Sequence, residues 1–262
     1  MPNRSAGKLV QVTVIQIDNY GPWTNTLGDD REHKLQILQA SLYSALQKSF
    51  AERDGLVFFN RFDEMLAVTN GISEGEHHDI LEEISKEFPV TVSMGIGVGE
   101  TPFEAQLKAS KLLQEKGSAQ SENRCGVIAC EKTVDLAHSR VQVMHLDVDR
   151  ITKVFTDRAS AYETSLGVMS VYVDLMRMFK GHDALMFFLG GDNFMGLANG
   201  ITSQELEPLL ERILLQTDNN IRLKCGIGIA KSGRKAAELA TMNLDLIRRT
   251  DRNKLIMSTQ SL

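Results

Sequence analysis

LVFFNRFDEMLAVTNGI, residues 56–72, and LMFFLGGDNFMGLANGI, residues 185–201, are one unit written twice. Each consists of two short apolar runs around a tight polar turn, Val57–Phe59 with Met65–Thr69 and Leu185–Leu189 with Phe194–Ala198, which reads as a β-hairpin. Asp63 and Asp192 sit in the turns, and Asn70-Gly71-Ile72 and Asn199-Gly200-Ile201 close the units, each pair 129 positions apart. Outward from the hairpins, Asp18 aligns with Asp147 at the same offset and Gly95-Ile96-Gly97 with Gly226-Ile227-Gly228 at 131. Self-similarity on this scale is a signal about architecture. It divides the chain into two duplicated domains, residues 8–118 and 139–254, with a linker at 119–138.

Each half runs through the same elements. An apolar strand, Leu9–Ile17 or Val141–Val148, leads to an aspartate, and a helix follows. Leu35, Leu38, Leu42 and Leu46 in one half, and Tyr162, Leu166, Met169, Val173 and Met176 in the other, recur at three and four and are expected in the core. After the hairpin come a helix (76–87 or 204–216), a strand (90–98 or 221–230) and a last helix, which in the first half opens on Thr101, Pro102 and Glu104 as N-cap, first-turn proline and capping-box glutamate. The order βαββαβ is the split βαβ or ferredoxin-like arrangement. The expected fold class is therefore α+β, with antiparallel sheets carrying helices on one face and the other face open to a ligand.

Composition excludes several classes. With 262 residues, 42% hydrophobic and 24% charged, the chain can bury two cores and shows neither disorder nor a rod. The net charge of −5 has the wrong sign for gripping a nucleic-acid backbone. No apolar run approaches the roughly 18 residues of a membrane span, and the polar start has no signal-peptide core, so the expected address is the cytoplasm. Cys125, Cys130 and Cys225 form no disulfide framework, and neither they nor the six histidines have zinc spacing.

Chemistry is expected where each strand-end aspartate meets its hairpin aspartate. In such a sheet the first strand lies beside the hairpin, so the two carboxylates should converge at an exposed sheet end. Hard oxygens with open water positions suit magnesium that also holds phosphates. A lone turn aspartate is ordinarily a solvated cap; the repeated pair favours the metal. Gly190 and Gly191 leave an open floor beside Asp192 and Asn193, although a Gly-Gly turn also serves any hairpin. Arg61 and Phe62 stand there in the first half. Asn19, Tyr20, Gly21, Pro22, Trp23 and Thr24 read as a glycine-containing turn whose N–H groups can face a triphosphate, or as rigid cover for the core. In the second half Arg150 and Lys153 read as phosphate cations or as solvated charge. The loop makes the first half the expected phosphate site, although the Gly-Gly turn argues for the second.

A strand ending in aspartate, a Gly-Gly-Asp hairpin and a split βαβ frame resemble the palm domain of nucleotidyl cyclases, GGDEF diguanylate cyclases and polymerases. More closely, IQIDNYGPWT at 15–24, RFDE at 61–64 and GGDNFM at 190–195, within a tandem duplication, resemble the archaeal GTP cyclohydrolase III family over nearly the whole chain. The resemblance implies two palm-like domains and a hydrolase that opens the imidazole ring of GTP with the formyl group retained. The products would be 2-amino-5-formylamino-6-ribosylaminopyrimidinone 5′-phosphate and inorganic phosphate, feeding riboflavin and deazaflavin synthesis, beside a separate pyrophosphate phosphohydrolase activity. It further implies dependence on Mg2+ (two ions), activation by K+ or a similar monovalent ion, no zinc, and a homotetramer with neither nucleic-acid nor membrane partners. On this chain it gives catalytic roles to Asp18, Asp63, Asp147 and Asp192. The metal roles go to the same four with Asn19 and Val148, and the substrate roles to Asn19, Tyr20, Gly21, Pro22, Trp23, Thr24, Gly190, Gly191 and Asn193. The alternatives are a nucleotidyl or diguanylate cyclase using the same aspartates, against which Asn193 stands where GGDEF enzymes carry glutamate, and a non-catalytic GTP-binding sensor.

Overall fold

A computed structural model describes residues 9–149, 159–216, 222–250 and 255–261. In it the repeat becomes two five-stranded sheets. The first half comprises β1 (Val10–Ile17), α1 (Tyr20–Asn25), α2 (Glu32–Ala51), β2 (Leu56–Arg61), β3 (Glu64–Val68), α3 (Glu74–Glu87), β4 (Val92–Gly99), α4 (Pro102–Glu115) and β5 (Ile128–Cys130). The second comprises β6 (Val141–Asp149), α5 (Ala161–Lys180), β7 (Leu185–Gly190), β8 (Asn193–Leu197), α6 (Ser203–Gln216), β9 (Arg222–Ala230), α7 (Gly233–Thr250) and β10 (Ile256–Gln260). The strand orders are β2-β3-β1-β4-β5 and β10-β9-β6-β8-β7. Four strands of each sheet are the antiparallel split βαβ set. The fifth is a parallel edge strand, β5 on β4 and β10 on β9.

Local sequence accounts for the element ends. Ser73 and Glu76 form a reciprocal capping box on α3, as Ser160 and Glu163 do on α5. Thr101 caps α4 through the Glu104 N–H, while the Glu104 carboxylate reaches past it to the Glu100 N–H. Asn70 and Asn199 explain the repeated Asn-Gly-Ile. Each side-chain oxygen accepts from the backbone of the first sheet strand, at Gln11 or Gln142, and each amide donates to a carbonyl just before that strand.

Helices α2 and α3 cover one face of the first sheet, with Leu42, Leu46, Phe50, Ile80 and Ile84 packed on Ile15, Ile17, Met65 and Met94. Helices α5 and α6 do the same in the second half. The opposite faces, expected to be open, are covered: α4 and α7 lie on them and share one core with Val12, Val14, Val68, Val143 and Leu197 of both sheets. The α5 stripe is a second correction. Tyr162, Leu166, Met169, Val173 and Met176 are exposed, and Val168, Val171, Leu175 and Phe179 face the core instead. Both sets have helical spacing, and periodicity alone does not say which face meets the sheet.

The halves meet about a pseudo-two-fold axis. Phe58 and Phe187, equivalent residues, stack with centroids 4.2 Å apart and planes 3° from parallel. The Phe103 N–H donates to the Asp183 carbonyl and the Arg234 N–H to the Asp54 carbonyl, each at 3.1 Å. Such reciprocity is the mark of an isologous contact, here formed within one chain.

A directional hydrogen-bond chain runs through the first half behind the sheet. The Ser73 carbonyl can only accept, so His77 Nδ1–H donates to it at 2.7 Å and Nε2 accepts from Thr13 Oγ1 at 2.9 Å. Thr69 bridges Thr13 and the Gln11 amide. Burial pushes the His77 imidazole down to about 4. The unfolded chain therefore takes up this proton first as pH falls. The neutral ring's contribution is complete above about pH 6.5 and is lost on descending to about pH 4, by about 3 kcal/mol. Urea midpoints measured across that window should fall for the wild-type chain and fall less for His77→Gln; equal slopes would contradict the assignment.

Candidate active site

The backbone brings each hairpin turn to the end of the first sheet strand, as expected. The Ile17 N–H donates to the Asp63 carbonyl and the Val148 N–H to the Asp192 carbonyl, each at 3.1 Å. Register then revises the alignment of the halves. Gln16 faces Glu64 and Ser93, while Asp147 faces Asn193 and Lys224. The structural counterpart of Asp147 is thus Gln16, and that of Asp18 is Asp149: the strands match at an offset of 131 and not 129. A slip of two preserves the face of a strand, so Asp147-Val148-Asp149 fits either alignment in the sequence.

Asp18 is not at an exposed sheet end, as the sequence suggested; it is 5% exposed. Oδ1 accepts from Ser93 Oγ at 2.6 Å and Arg124 Nε at 3.3 Å, and Oδ2 from Thr91 Oγ1 and the Gly126 N–H, both at 2.9 Å. Four donors fill the four lone-pair positions of a carboxylate. Arg124 is equally buried and also donates to the Gln16 side-chain Oε1 and to the Gly117 backbone carbonyl. The Asp63 side chain is 40% exposed and pairs with Arg61 at 3.4 Å. The two first-half aspartates share a backbone junction, but their side chains have different neighbours, Ser93, Arg124, Thr91 and Gly126 for Asp18 and Arg61 for Asp63.

The segment after Asp18 is a helix and not an open turn. Asn19 takes a left-handed conformation (φ 48°) and begins α1. Its N–H donates to the Ala119 carbonyl, the Trp23 N–H returns to the Asn19 carbonyl, and Pro22 has no N–H, so three of the six residues expected to face a triphosphate through backbone do not offer a donor. Gly21 lies under the Gln120 side chain, Thr24 caps back onto the Gly21 carbonyl, and Tyr20 and Trp23 pack on the core. Burial and then the nearby Asp63 push the Tyr20 phenol up, and its oxygen accepts from Gln39. Among the described residues, Asn19 Oδ1 and Arg124 Nη2 are buried with no hydrogen-bond partner, two positions that water or a ligand atom would complete.

The second half is arranged differently. Arg248 of α7 grips Asp147 with two nitrogens, Nη2 to Oδ1 at 2.5 Å and Nε to Oδ2 at 3.3 Å. The same Nη2 is 3.4 Å from Asn193 Oδ1, and Asn193 donates to Asp192 Oδ1 at 2.8 Å. Three hard oxygens therefore face one cationic group, and a fourth stands next to them. The Arg248 side chain is 36% exposed and also reaches Asp245 Oδ1 at 3.4 Å, whereas that of Arg124 is 2% exposed. Gly190 (φ 115°) and Gly191 (φ 59°) take conformations that side chains resist, and an added Cβ at either would meet nothing within 4 Å. The floor beside Asp192 is open. His145 lies on the same strand face, held by Thr241; burial and then Arg248 push its imidazole down, with Asp147 opposing. Arg150 and Lys153 fall outside the described residues. Among the described residues no group of three or more His, Cys, Asp or Glu surrounds a common point, so a cation here would be held by Asp147, Asp192, the Asn193 oxygen and water. That donor set of hard oxygens fits magnesium.

The family model for GTP cyclohydrolase III matches residues 12–261. The chain belongs to the GTP cyclohydrolase III family. Relatives of that name include those of Methanothermobacter thermautotrophicus, 48% identical over 92% of this chain and 95% of theirs, and of Methanocaldococcus jannaschii, 46% identical over 92% and 88%. It is accordingly an enzyme. The GGDEF domain of DgcB from Caulobacter crescentus is similar at a TM-score of 0.39 and 18% identity over 45% of this chain and 77% of that one, too low to bear on function. No helix among the described residues is long and apolar enough to cross a membrane.

Sequence reasoning missed Arg124 and Arg248, which lie 106 and 101 positions from their aspartates. For Asp18 the consequence is structural: Asp18→Asn strands a buried guanidinium. The variant should lose about 3–5 kcal/mol of stability in denaturant titration, and an unchanged midpoint would contradict the buried pair.

Proposed function

We propose that the chain hydrolyses GTP, opening the guanine imidazole ring with the formyl group retained and releasing inorganic phosphate, and that this happens beside the Gly190–Asn193 turn. Family membership supports the substrate and reaction. The convergence of Asp147 and Asn193 oxygens on the Arg248 guanidinium, with Asp192 bonded to Asn193 next to an open glycine floor, supports the place. Magnesium held there would supply Lewis-acid activation of water and neutralise triphosphate charge. A second Mg2+ and a monovalent ion such as K+ belong to the same proposal.

The chain's own residues do the rest. Val148 pins the turn to the strand end through the Asp192 carbonyl, so Asp147 and Asp192 keep a fixed separation as ligands. Gly190 and Gly191 admit the nucleotide against backbone, and Asn193 can hydrogen-bond it. Arg248, freed from Asp147 when a cation takes its place, offers a planar fork to phosphate oxygens. In an anti nucleoside, carbon 8 of guanine lies over the 5′ phosphate, so groups holding the phosphates also hold the ring near the water. Asp18 and Arg124 lock the first half, whose part is to complete the shared core. The proposed setting is the cytoplasm, where GTP is abundant.

GTP incubated with the purified chain and Mg2+ should give a product whose base has gained one water and which has lost two phosphates, with turnover abolished by chelation and raised by K+. Pyrophosphate release with an intact base would indicate a cyclase, and tight binding without turnover a sensor; either overturns the proposal. Asp147→Asn and Asp192→Asn should each cut turnover at least about 100-fold, the order expected for a lost metal ligand, with thermal midpoints little changed. Asp63→Asn should stay within a few-fold of wild type. Full loss in Asp63→Asn with retention in Asp192→Asn would move the site to the first half.

A further inference from the structure

The side of α5 that points away from its own core is apolar. Tyr162, Leu166, Met169, Val173 and Met176 recur at alternating intervals of four and three and are 76, 56, 39, 39 and 41% exposed. That is the heptad seam by which one helix packs on another, narrower than the stripe that seats a helix on a sheet. The fold does not need it, since Val168, Val171, Leu175 and Phe179 already fill the contact with the sheet. Helix α2 is an internal control. Shifted by 129, the same positions are His33, Ile37, Ala40, Ser44 and Gln47, so the duplicated scaffold folds with a mostly polar face there.

The seam is nearly palindromic. Tyr162 and Met176 lie seven residues either side of Met169, and Leu166 and Val173 lie three before and four after it. Its charged flank follows the same symmetry: Glu163 and Arg177, both exposed, lie seven residues either side of Ser170. An antiparallel copy of the helix, related by a two-fold axis near Ser170, sets Glu163 against Arg177 twice and opposes the two helix dipoles. A parallel copy would place the two Glu163 side chains on opposite sides of the seam and bring neither to Arg177. We propose that the exposed α5 seam is an isologous interface through which two copies of this chain pair by antiparallel contact of their α5 helices. This stands independently of where the active site lies.

Light scattering on the eluted full-length protein should give a mass that is a multiple of 29.1 kDa. Leu166→Glu with Val173→Glu, both at exposed positions, should halve it or reduce it further with the thermal midpoint retained. Ile37→Glu at the equivalent α2 position should leave it unchanged. Ser170→Cys in a Cys125→Ser background keeps the seam intact, and a short bismaleimide should link two chains through residue 170. A monomeric wild-type chain at micromolar concentration, a mass unmoved by the double substitution, or absence of the 170–170 link would each overturn the proposal.

Discussion

Both halves depend on one close contact, that of a helix lying directly on a strand stripped of side chains. An added Cβ at Gly97 would sit 2.1 Å from the Ala105 carbonyl oxygen, and at Gly228 2.0 Å from that of Ala236. Gly95 and Gly226 meet Ala109 and Ala240 as closely. Atoms cannot share that space, so Gly-x-Gly on the strand and alanines at four-residue spacing on the helix are jointly required. The contact draws α4 and α7 onto the inner faces of their sheets. Once there they fill the space between the sheets, and the two halves become one hydrophobic unit joined by the Phe58–Phe187 stack.

That closure decides what each sheet end can do. Because α4 and α7 cover the inner faces, the sheets present their strand ends rather than those faces. At one end Asp18 is enclosed by residues 117–126 and satisfied four times over. At the other, Asp147 is held by the half-exposed Arg248 beside a glycine turn. Duplication thus supplied two similar strand ends, and different arginines, Arg124 and Arg248, hold the aspartates found there.

The two long helices diverged in the same way. Helices α2 and α5 present equivalent residues to their sheets, as Leu42, Leu46 and Phe50 correspond to Val171, Leu175 and Phe179. Their outer faces are under no such demand. The polar face of α2 is content with water, whereas the apolar face of α5 exposes methionine, leucine and tyrosine that water does not favour.

Sequence by itself determined the duplication, the βαββαβ order, the hairpins, the cap at Thr101, and the family. All are written in short-range patterns: alternation by two, spacing by three and four, turn chemistry, and a repeat that aligns with itself. Tertiary structure alone decided that α4 and α7 cover the inner faces, that the hydrophobic stripe of α5 faces outward, and that Asp147 corresponds to Gln16. It also decided that Arg124 and Arg248 neutralise carboxylates about a hundred residues away. Two helical faces with the same periodicity, or two aspartates separated by one residue, are locally equivalent. Only packing of distant segments, where volume must be filled and buried charge must be paired, separates them.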